Sequence, residues 1–414
     1  MARLVLKFGG TSVGDITRIR KVARLVQSQI ESGNEIAVVV SAMAGETNKL
    51  VALAREAQKV PDLREYDVVI STGEQVTIGL MALALRDIGV PSQSFLGWQI
   101  PLRTDAQQGN AWIEQVEGEK LSALMKQGIV PVIAGFQGIG PDGSVTTLGR
   151  GGSDTTAVAV AAAVAADQCD IYTDVEGVFT TDPRIVESAR KLEKISYEEM
   201  LELASQGAKV LQTRSVEIAM RHRVRVQVLS SFKNEIGTFV VDEEEIMDAK
   251  SVSGLAYSKE DAKIQVVGIP HNSGAASAIF SPLAKSGVNV DMIVQNIGDS
   301  GKANITFTVP KVDMDRAIKI LRDNQSAIGF SDVTGDANVV KVSVVGFGMR
   351  SHVGVAQTMF ETLAAKAINI QVISTSEIKI SVLIASEYLE LALRALHAAY
   401  GLDQQPVATK SAAA

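Results

Sequence analysis

Lys7-Phe8-Gly9-Gly10-Thr11-Ser12 sets a lysine, two glycines and two hydroxyls where the apolar run from Leu4 to Phe8 gives way to a helical pattern. In an open α/β sheet that junction is where ligands bind. Glycines let backbone N–H groups approach phosphate oxygens, a helix N-terminus favours anions, and a strand-borne lysine adds a positive charge. The segment has the makings of a phosphate cradle; taken alone, it is equally a tight glycine turn beside a solvated lysine. It lacks the Gly-x-x-x-x-Gly-Lys-Ser/Thr order of a P-loop. A second equipped stretch, Thr147-Leu148-Gly149-Arg150-Gly151-Gly152-Ser153-Asp154-Thr155-Thr156, precedes an alanine-rich helix. Three glycines weaken any regular element, so a loop is expected, carrying a bidentate anion binder and a carboxylate suited to Mg²⁺ or an ammonium. Ser153 or Asp154 can also cap the helix, which does not stop it being a ligand.

Two motifs compete. Gly10-Thr11-Ser12-Val13-Gly14 fits the Gly-x-Ser-x-Gly elbow of serine hydrolases. That elbow normally follows several strands, whereas this one follows the first, and none of His222, His271, His352 and His397 stands in a triad context. Gly138-Ile139-Gly140-Pro141-Asp142-Gly143 satisfies Gly-x-Gly-x-x-Gly, yet Pro-Asp-Gly is a turn and strand-like Ser144-Val145-Thr146-Thr147 follows, so a hairpin is expected instead of a dinucleotide site.

These residues need a scaffold. From residue 1 to about 240, β-branched runs alternate with helical stretches, the pattern of an α/β domain with a mainly parallel sheet. Strands are expected near 4–8, 36–40, 94–96, 130–134, 170–173 and 224–229. Helices are expected at 16–30, 74–88, 112–127, 154–166 and 197–221. Asp242-Glu243-Glu244-Glu245 reads as the end of this domain. Beyond it, Val266-Val267-Gly268-Ile269, Gly274 and Gly287–Ile293 return as Val344-Val345-Gly346-Phe347, Gly354 and Ala367–Ile373. That repeat predicts two ferredoxin-like βαββαβ modules. The expected divisions are 1–245, 246–330 (whose first strand can pair with the second module), 331–403, and a disordered tail 404–414.

The 414 residues suffice for two or three domains. A net charge of −7 opposes a phosphate-backbone binder, so nucleic acid is not expected as a partner. The single Cys169 allows no internal disulfide and fits a reducing cytoplasm. The run from Ala157 to Ala166 is half a membrane span, so neither insertion nor secretion is expected.

Together, Lys7–Val13, Ser41-Ala42-Met43-Ala44-Gly45-Glu46-Thr47-Asn48, Ser71-Thr72-Gly73-Glu74, Gly149–Asp154 and Tyr172-Thr173-Asp174-Val175-Glu176-Gly177 resemble aspartokinase in content, order and spacing. Thr180-Thr181-Asp182-Pro183-Arg184 and Gly207–Leu211 extend the likeness, and the repeated modules resemble that family's paired ACT domains. The resemblance implies an amino-acid-kinase-type α/β/α sandwich and transfer of the γ-phosphoryl of ATP, with Mg²⁺, to the side-chain carboxylate of L-aspartate, opening the route to lysine, threonine and methionine.

It also implies roles. Lys7 stabilises the moving phosphoryl, with Gly9 and Gly10 as backbone donors and Ser41 nearby. Arg150 clamps the α-carboxylate, Glu74 pairs with the ammonium, Thr47 and Ser153 supply hydrogen bonds beside Gly151 and Gly152, and Asp154 organises Lys7 and the metal. Phe8, Ser12, Thr173, Asp174, Phe179, Asp182, Arg184 and Lys209 fall in nucleotide-binding segments. Phe179 replaces a common tyrosine. Effector contacts are implied at Ser273, Gly274, Ala275, Asp291 and Gln295, and at Asn369, Ile370 and Ser376, with lysine and threonine the leading effectors. His271 and Val353 stand in loops that depart from the family pattern. A homodimer or larger assembly is implied, with Met247 placed for an internal start of a shorter, ACT-only chain. The alternatives are a sister amino-acid kinase and a catalytically silent amino-acid sensor.

Overall fold

The computed structural model describes residues 1–207, 210–246, 251–270, 272–297, 301–350 and 354–404, with the side chains of 348 and 350 left aside. They form two compact units, 1–178 with 191–204 and 209–247, and 179–190 with 205–208 and 248–414.

The first unit runs β1 (Arg3–Phe8), α1 (Ile16–Glu31), β2 (Glu35–Val40), α2 (Glu46–Ala57), α3 (Leu63–Ile70), α4 (Thr72–Asp87), β3 (Ser92–Phe95), β4 (Leu102–Thr104), β5 (Ile113–Val116), α5 (Glu119–Lys126), β6 (Val130–Ala134), β7 (Gln137–Ile139), β8 (Val145–Thr147), α6 (Gly152–Ala163), β9 (Gln168–Thr173), β10 (Lys194–Ser196), α7 (Tyr197–Ser205), α8 (Thr213–His222), β11 (Val226–Ser230) and β12 (Thr238–Val241). Eight strands form one sheet in the order β10-β12-β11-β9-β1-β2-β6-β3, parallel except between β11 and β12. Its central strands are buried on both faces, which is why β1 and β2 read as nearly unbroken apolar runs. α1 starts where the Asp15 side chain accepts from Arg18 N at 2.8 Å, and it buries Ile19, Val22, Ala23 and Val26, spaced three and four apart. α6 is buried from Gly152 to Ala161, so its uniform small apolar character is that of a core helix. The stretch Leu63–Asp87 is long and apolar enough by composition to cross a membrane, yet Ile78, Met81, Ala82 and Leu85 pack into the same core as β1 and β2.

Two expected helices differ. Residues 113–116 form β5, at the edge of a small sheet β5-β4-β7-β8, and only 119–126 is helical. Gly118 separates the two, and a Cβ there would lie 2.2 Å from the carbonyl oxygen of Ala163. The stretch 197–221 is two helices, because Gly207 sits at φ +110°, which an L side chain rarely adopts. The Gly138–Gly143 motif is the β7–β8 hairpin, with antiparallel pairing.

The second unit contains β13 (Gly254–Ser258), β14 (Asp261–Pro270), α9 (Ala275–Lys285), β15 (Asp291–Ile297), β16 (Lys302–Pro310), α10 (Met314–Asp323), α11 (Gln325–Ile328), β17 (Asp332–Asp336), β18 (Val339–Val345), α12 (Val355–Ala365), β19 (Val372–Thr375), β20 (Lys379–Ala385) and α13 (Leu389–Ala399). One sheet has the order β15-β16-β14-β17 and the other β13-β18-β20-β19, both antiparallel. The first is a complete βαββαβ module. The second takes β13 as its fourth strand, so a segment preceding the first module completes the second.

Residues 179–190, which precede residue 245, also belong here. Leu255 N donates to Thr180 O at 2.7 Å, Thr180 Oγ1 lies 2.9 Å from His397 Nε2, and Val186 packs in the core of the β18 sheet. Ile185 and Ala189 pack against that core, which holds the segment to this unit.

Candidate active site

The ends of β1 and β2, the start of α4 and the loop before α6 surround a cavity of about 330 Å³. Lys7 projects from β1 with its side chain 9% exposed, and its Nζ lies 2.6 Å from Asp154 Oδ1 in the first turn of α6. An unpaired buried ammonium would be costly, so the lysine is held by a carboxylate that itself sits favourably at a helix N-terminus. Glu74, in the first turn of α4, is 3% exposed and accepts from Ala42 N at 3.0 Å through Oε1. Its other oxygen, Oε2, is buried without a hydrogen-bond partner. Burial pushes the Glu74 carboxyl up to about 7, against the opposing Ala42 N–H.

Arg150 stands exposed between Gly149 and Gly151, whose φ values are +72° and +71°. A Cβ on Gly151 would also fall 1.7 Å from Gln212 Cγ, so only glycine closes this loop. Ser41, Thr47, Glu74, Arg150, Gly151, Gly152 and Ser153 all line the cavity, with Lys7, Gly10 and Asp154. Sequence reasoning missed two features of the wall. The Ala42 N–H that binds Glu74 has no side-chain signature. Phe136, a lining residue at φ +70°, reads in sequence only as the end of a strand.

Lys7 and Asp154 pair within the wall, while Glu74 Oε2 has no partner and Arg150 is exposed, which leaves one carboxylate oxygen and one cation facing the space. Among the described residues no group of three or more His, Cys, Asp or Glu could cage a metal. A single carboxylate such as Asp154 suits a Mg²⁺ whose remaining ligands are phosphate oxygens and water. Ser12 is 3% exposed and its Oγ lies 2.5 Å from Ser231 Oγ, so the hydroxyl of the would-be elbow faces another serine.

The amino acid kinase family model matches residues 2–230 and an ACT domain model matches 264–325 and 342–400. An aspartate kinase of Pseudomonas putida is 52% identical over 404 residues, covering 97% of this chain and 98% of that one. The chain belongs to the aspartate kinase family. It is therefore an enzyme of phosphoryl transfer to aspartate, with a kinase region followed by ACT modules. Among solved structures, E. coli aspartokinase III in complex with aspartate and ADP (R-state) is 26% identical with a TM-score of 0.81, covering 96% of this chain and 99% of that one. The same protein in complex with lysine and aspartate (T-state) is 27% identical with a TM-score of 0.74, covering 95% and 98%.

The residues expected to meet nucleotide fall into two groups. Gly9 N donates to Tyr172 O at 3.2 Å, Ser231 N donates to Thr173 O at 2.9 Å, and the Ser12–Ser231 contact closes the set, so Gly9, Gly10, Ser12, Thr173 and Asp174 meet at the ends of β1, β9 and β11. The ring of Phe8 is fully buried, stacked on Tyr172 with centroids 4.7 Å apart. Its carbonyl accepts from Ser41 N at 3.1 Å, so Phe8 offers a ligand neither ring nor free backbone. Phe179, Asp182 and Arg184 belong to the second unit. The Arg184 hydrogen bonds hold the Asp182 carboxyl down at about 2, and Tyr257 Oη donates to Asp182 Oδ2 at 2.9 Å. Lys209 lies outside the described residues, as do His271, Val353 and Met247.

The effector residues are dispersed. Asp291 pairs in register with Thr308, while Pro270, just before the Ser273-Gly274-Ala275 loop, pairs with Lys302. Six residues of strand, about 20 Å, separate the two ends. Gln295 is nearer the loop end; Asn369 and Ile370 precede β19 and Ser376 follows it, in the other module. Asp291 alone of these lines a second cavity, of about 400 Å³, beside Lys341, Asp261 and Thr308. Lys341 Nζ lies 2.9 Å from Asp291 Oδ2 and 3.6 Å from Asp261 Oδ1, with its side chain 6% exposed.

Proposed function

We propose that the first cavity holds L-aspartate for attack on the γ-phosphorus of ATP. The observation that carries this is the placement of an unpartnered carboxylate oxygen on Glu74, the exposed Arg150 and the buried Lys7 around one space. Arg150 takes the α-carboxylate bidentately, Glu74 the ammonium, and Thr47 and Ser153 add hydrogen bonds. The substrate's side-chain carboxylate, with an ordinary pKa of about 4, is already an anion, so no general base is needed. What must be overcome is repulsion between two anions, and Lys7 with the Gly9 and Gly10 backbone serves that end. Mg²⁺, when bound with the nucleotide, supplies further neutralisation at the phosphates; Asp154 is the residue to hold it while keeping Lys7 in place. Ser12, Thr173 and Asp174 face the nucleotide, and Phe179, Asp182, Arg184 and Lys209 are the further residues the family resemblance assigns to it.

Feedback belongs to the ACT modules, with lysine or threonine as effector. The lysine complex of the E. coli relative puts lysine first. Because the effector residues are dispersed over two modules and both ends of β15, a site made from them closes between modules of an assembled dimer. A shorter ACT-only chain from Met247, and a cytoplasmic location, complete the reading.

The test is ADP release with aspartate, Mg²⁺ and ATP, trapping the acyl phosphate as its hydroxamate. Aspartate-dependent hydroxamate is expected, together with a raised KM for aspartate in Arg150→Ala. Turnover with glutamate in place of aspartate, or no product, would contradict the assignment.

A further inference from the structure

Arg150 sits in a loop with no stiffness of its own, flanked by two left-handed glycines, so its direction must be set by what anchors the loop ends. One end is α6. The other is the exit of β8, Thr147-Leu148, and the structure pins it unusually. Asp67, on α3 and wholly buried, accepts from Thr147 Oγ1 at 2.6 Å through Oδ1, and from Thr147 N at 3.0 Å and Gly109 N at 2.8 Å through Oδ2. The Gln108 amide, turned so that both its ends find partners, adds a donor to Asp67 Oδ2 at 2.7 Å. A neighbouring cation works on the same segment: Arg214 Nη1 donates to Leu148 O and Ala111 O, each at 3.2 Å, and its guanidinium stacks over Trp112 at 4.1 Å. Asn110 Oδ1 then lies where a Cβ on Gly149 would fall, 2.5 Å away.

We propose that Asp67 is a positioning residue for aspartate binding: it ties the 108–109 turn and Thr147 to α3, so that Arg150, three residues on, faces the cavity. This rests on the reading of Arg150 as the α-carboxylate clamp. A fully buried carboxylate is costly to keep, and one spent on donors from two loops 42 and 80 residues away in sequence orders the junction that no secondary structure orders. Asp67 touches no reacting atom. Its effect reaches the chemistry through the loop, and only on the aspartate side.

The experiment measures KM for aspartate, KM for ATP and kcat in Asp67→Asn, Thr147→Val and Thr147→Ser, with Arg150→Ala alongside. Asp67→Asn keeps the shape but gives up one acceptor, and about a tenfold rise in KM for aspartate is expected, the equivalent of one buried hydrogen bond. KM for ATP and kcat stay near wild type. Thr147→Val raises the same KM by a smaller factor and Thr147→Ser, which restores the hydroxyl, returns it; these two carry the test if Asp67→Asn does not fold. Equal rises in both KM values, or none, in the folded variants would overturn the positioning role. If Arg150→Ala raises KM for aspartate while the others do not, that role alone fails. If Arg150→Ala also has no effect, the clamp fails and the role with it.

Discussion

Both units enclose a polar cavity built around a buried lysine, and the two lysines are used differently. Lys7 is matched to one carboxylate, Asp154, while Glu74 Oε2 and the exposed Arg150 stand on other parts of the wall. Lys341 is shared by two, Asp261 and Asp291, so that pairing within the wall consumes most of the charge present. On the proposed reading, the first arrangement receives a zwitterion. In the second, Asp291 enters the wall already paired with Lys341, with its side chain 55% exposed.

The contrast is broken most severely at Lys7. Lys7→Ala should lower kcat by about 10²–10³, as removal of one donor to a developing charge does, while the circular dichroism spectrum stays native. Retained turnover would mean that this lysine is merely structural. Next in size, Glu74→Gln should raise KM for aspartate about tenfold by replacing a charged partner of the ammonium with a neutral one, leaving KM for ATP in place.

A smaller effect follows from the Glu74 carboxyl near 7. The substrate ammonium needs the ionised form, so KM for aspartate should fall as pH rises through about 7 and level above it; a flat profile would show that Glu74 does not meet the ammonium. Stability runs the other way. Below the unfolded value of 4.5 both states hold the proton, between 4.5 and about 7 only the unfolded chain releases it, and above that window the folded state carries the full penalty. Glu74→Gln should therefore melt higher than wild type near pH 8 and alongside it near pH 4.

The smallest effect on catalysis is expected at Lys341. Lys341→Met leaves Asp261 and Asp291 facing each other, so the melting temperature should drop while effector-free turnover stays within about twofold, because none of the three lines the first cavity. Burial pushes the Asp291 carboxyl up, but the Lys341 hydrogen bond and charge outweigh it and hold it below its ordinary value of 3.8. That stabilisation is present above pH 3.8 and is lost as pH falls, and the variant should no longer show that loss.

Much of this was legible in the sequence because glycines and charges carry local information. The Lys7–Ser12 turn, the loop around Arg150 and the Pro141-Asp142-Gly143 hairpin each announce a backbone geometry, and the 80-residue repeat announces two modules. Partner choice was legible only in part. The first strand after residue 246 was expected to be able to pair with the second module, and β13 does pair with β18. Phe8 ends a mainly apolar strand beside Lys7, so nothing told that its ring stacks on Tyr172 inside the core. The strand at 113–116 was hidden by the helix that follows it, and segment 179–190 by motifs that pointed to nucleotide and not to the unit against which Ile185, Val186 and Ala189 bury their side chains. Asp67 was invisible because its partners, two of them backbone N–H groups, lie 41 to 80 residues along the chain.

The most direct test of the account is a crystal structure of the full chain with aspartate, ADP and Mg²⁺. The substrate's α-carboxylate should lie on Arg150, its ammonium within hydrogen-bond distance of Glu74 Oε2, and its side-chain carboxylate directed toward Lys7. Aspartate bound away from these three groups, with the cavity filled only by solvent, would contradict it.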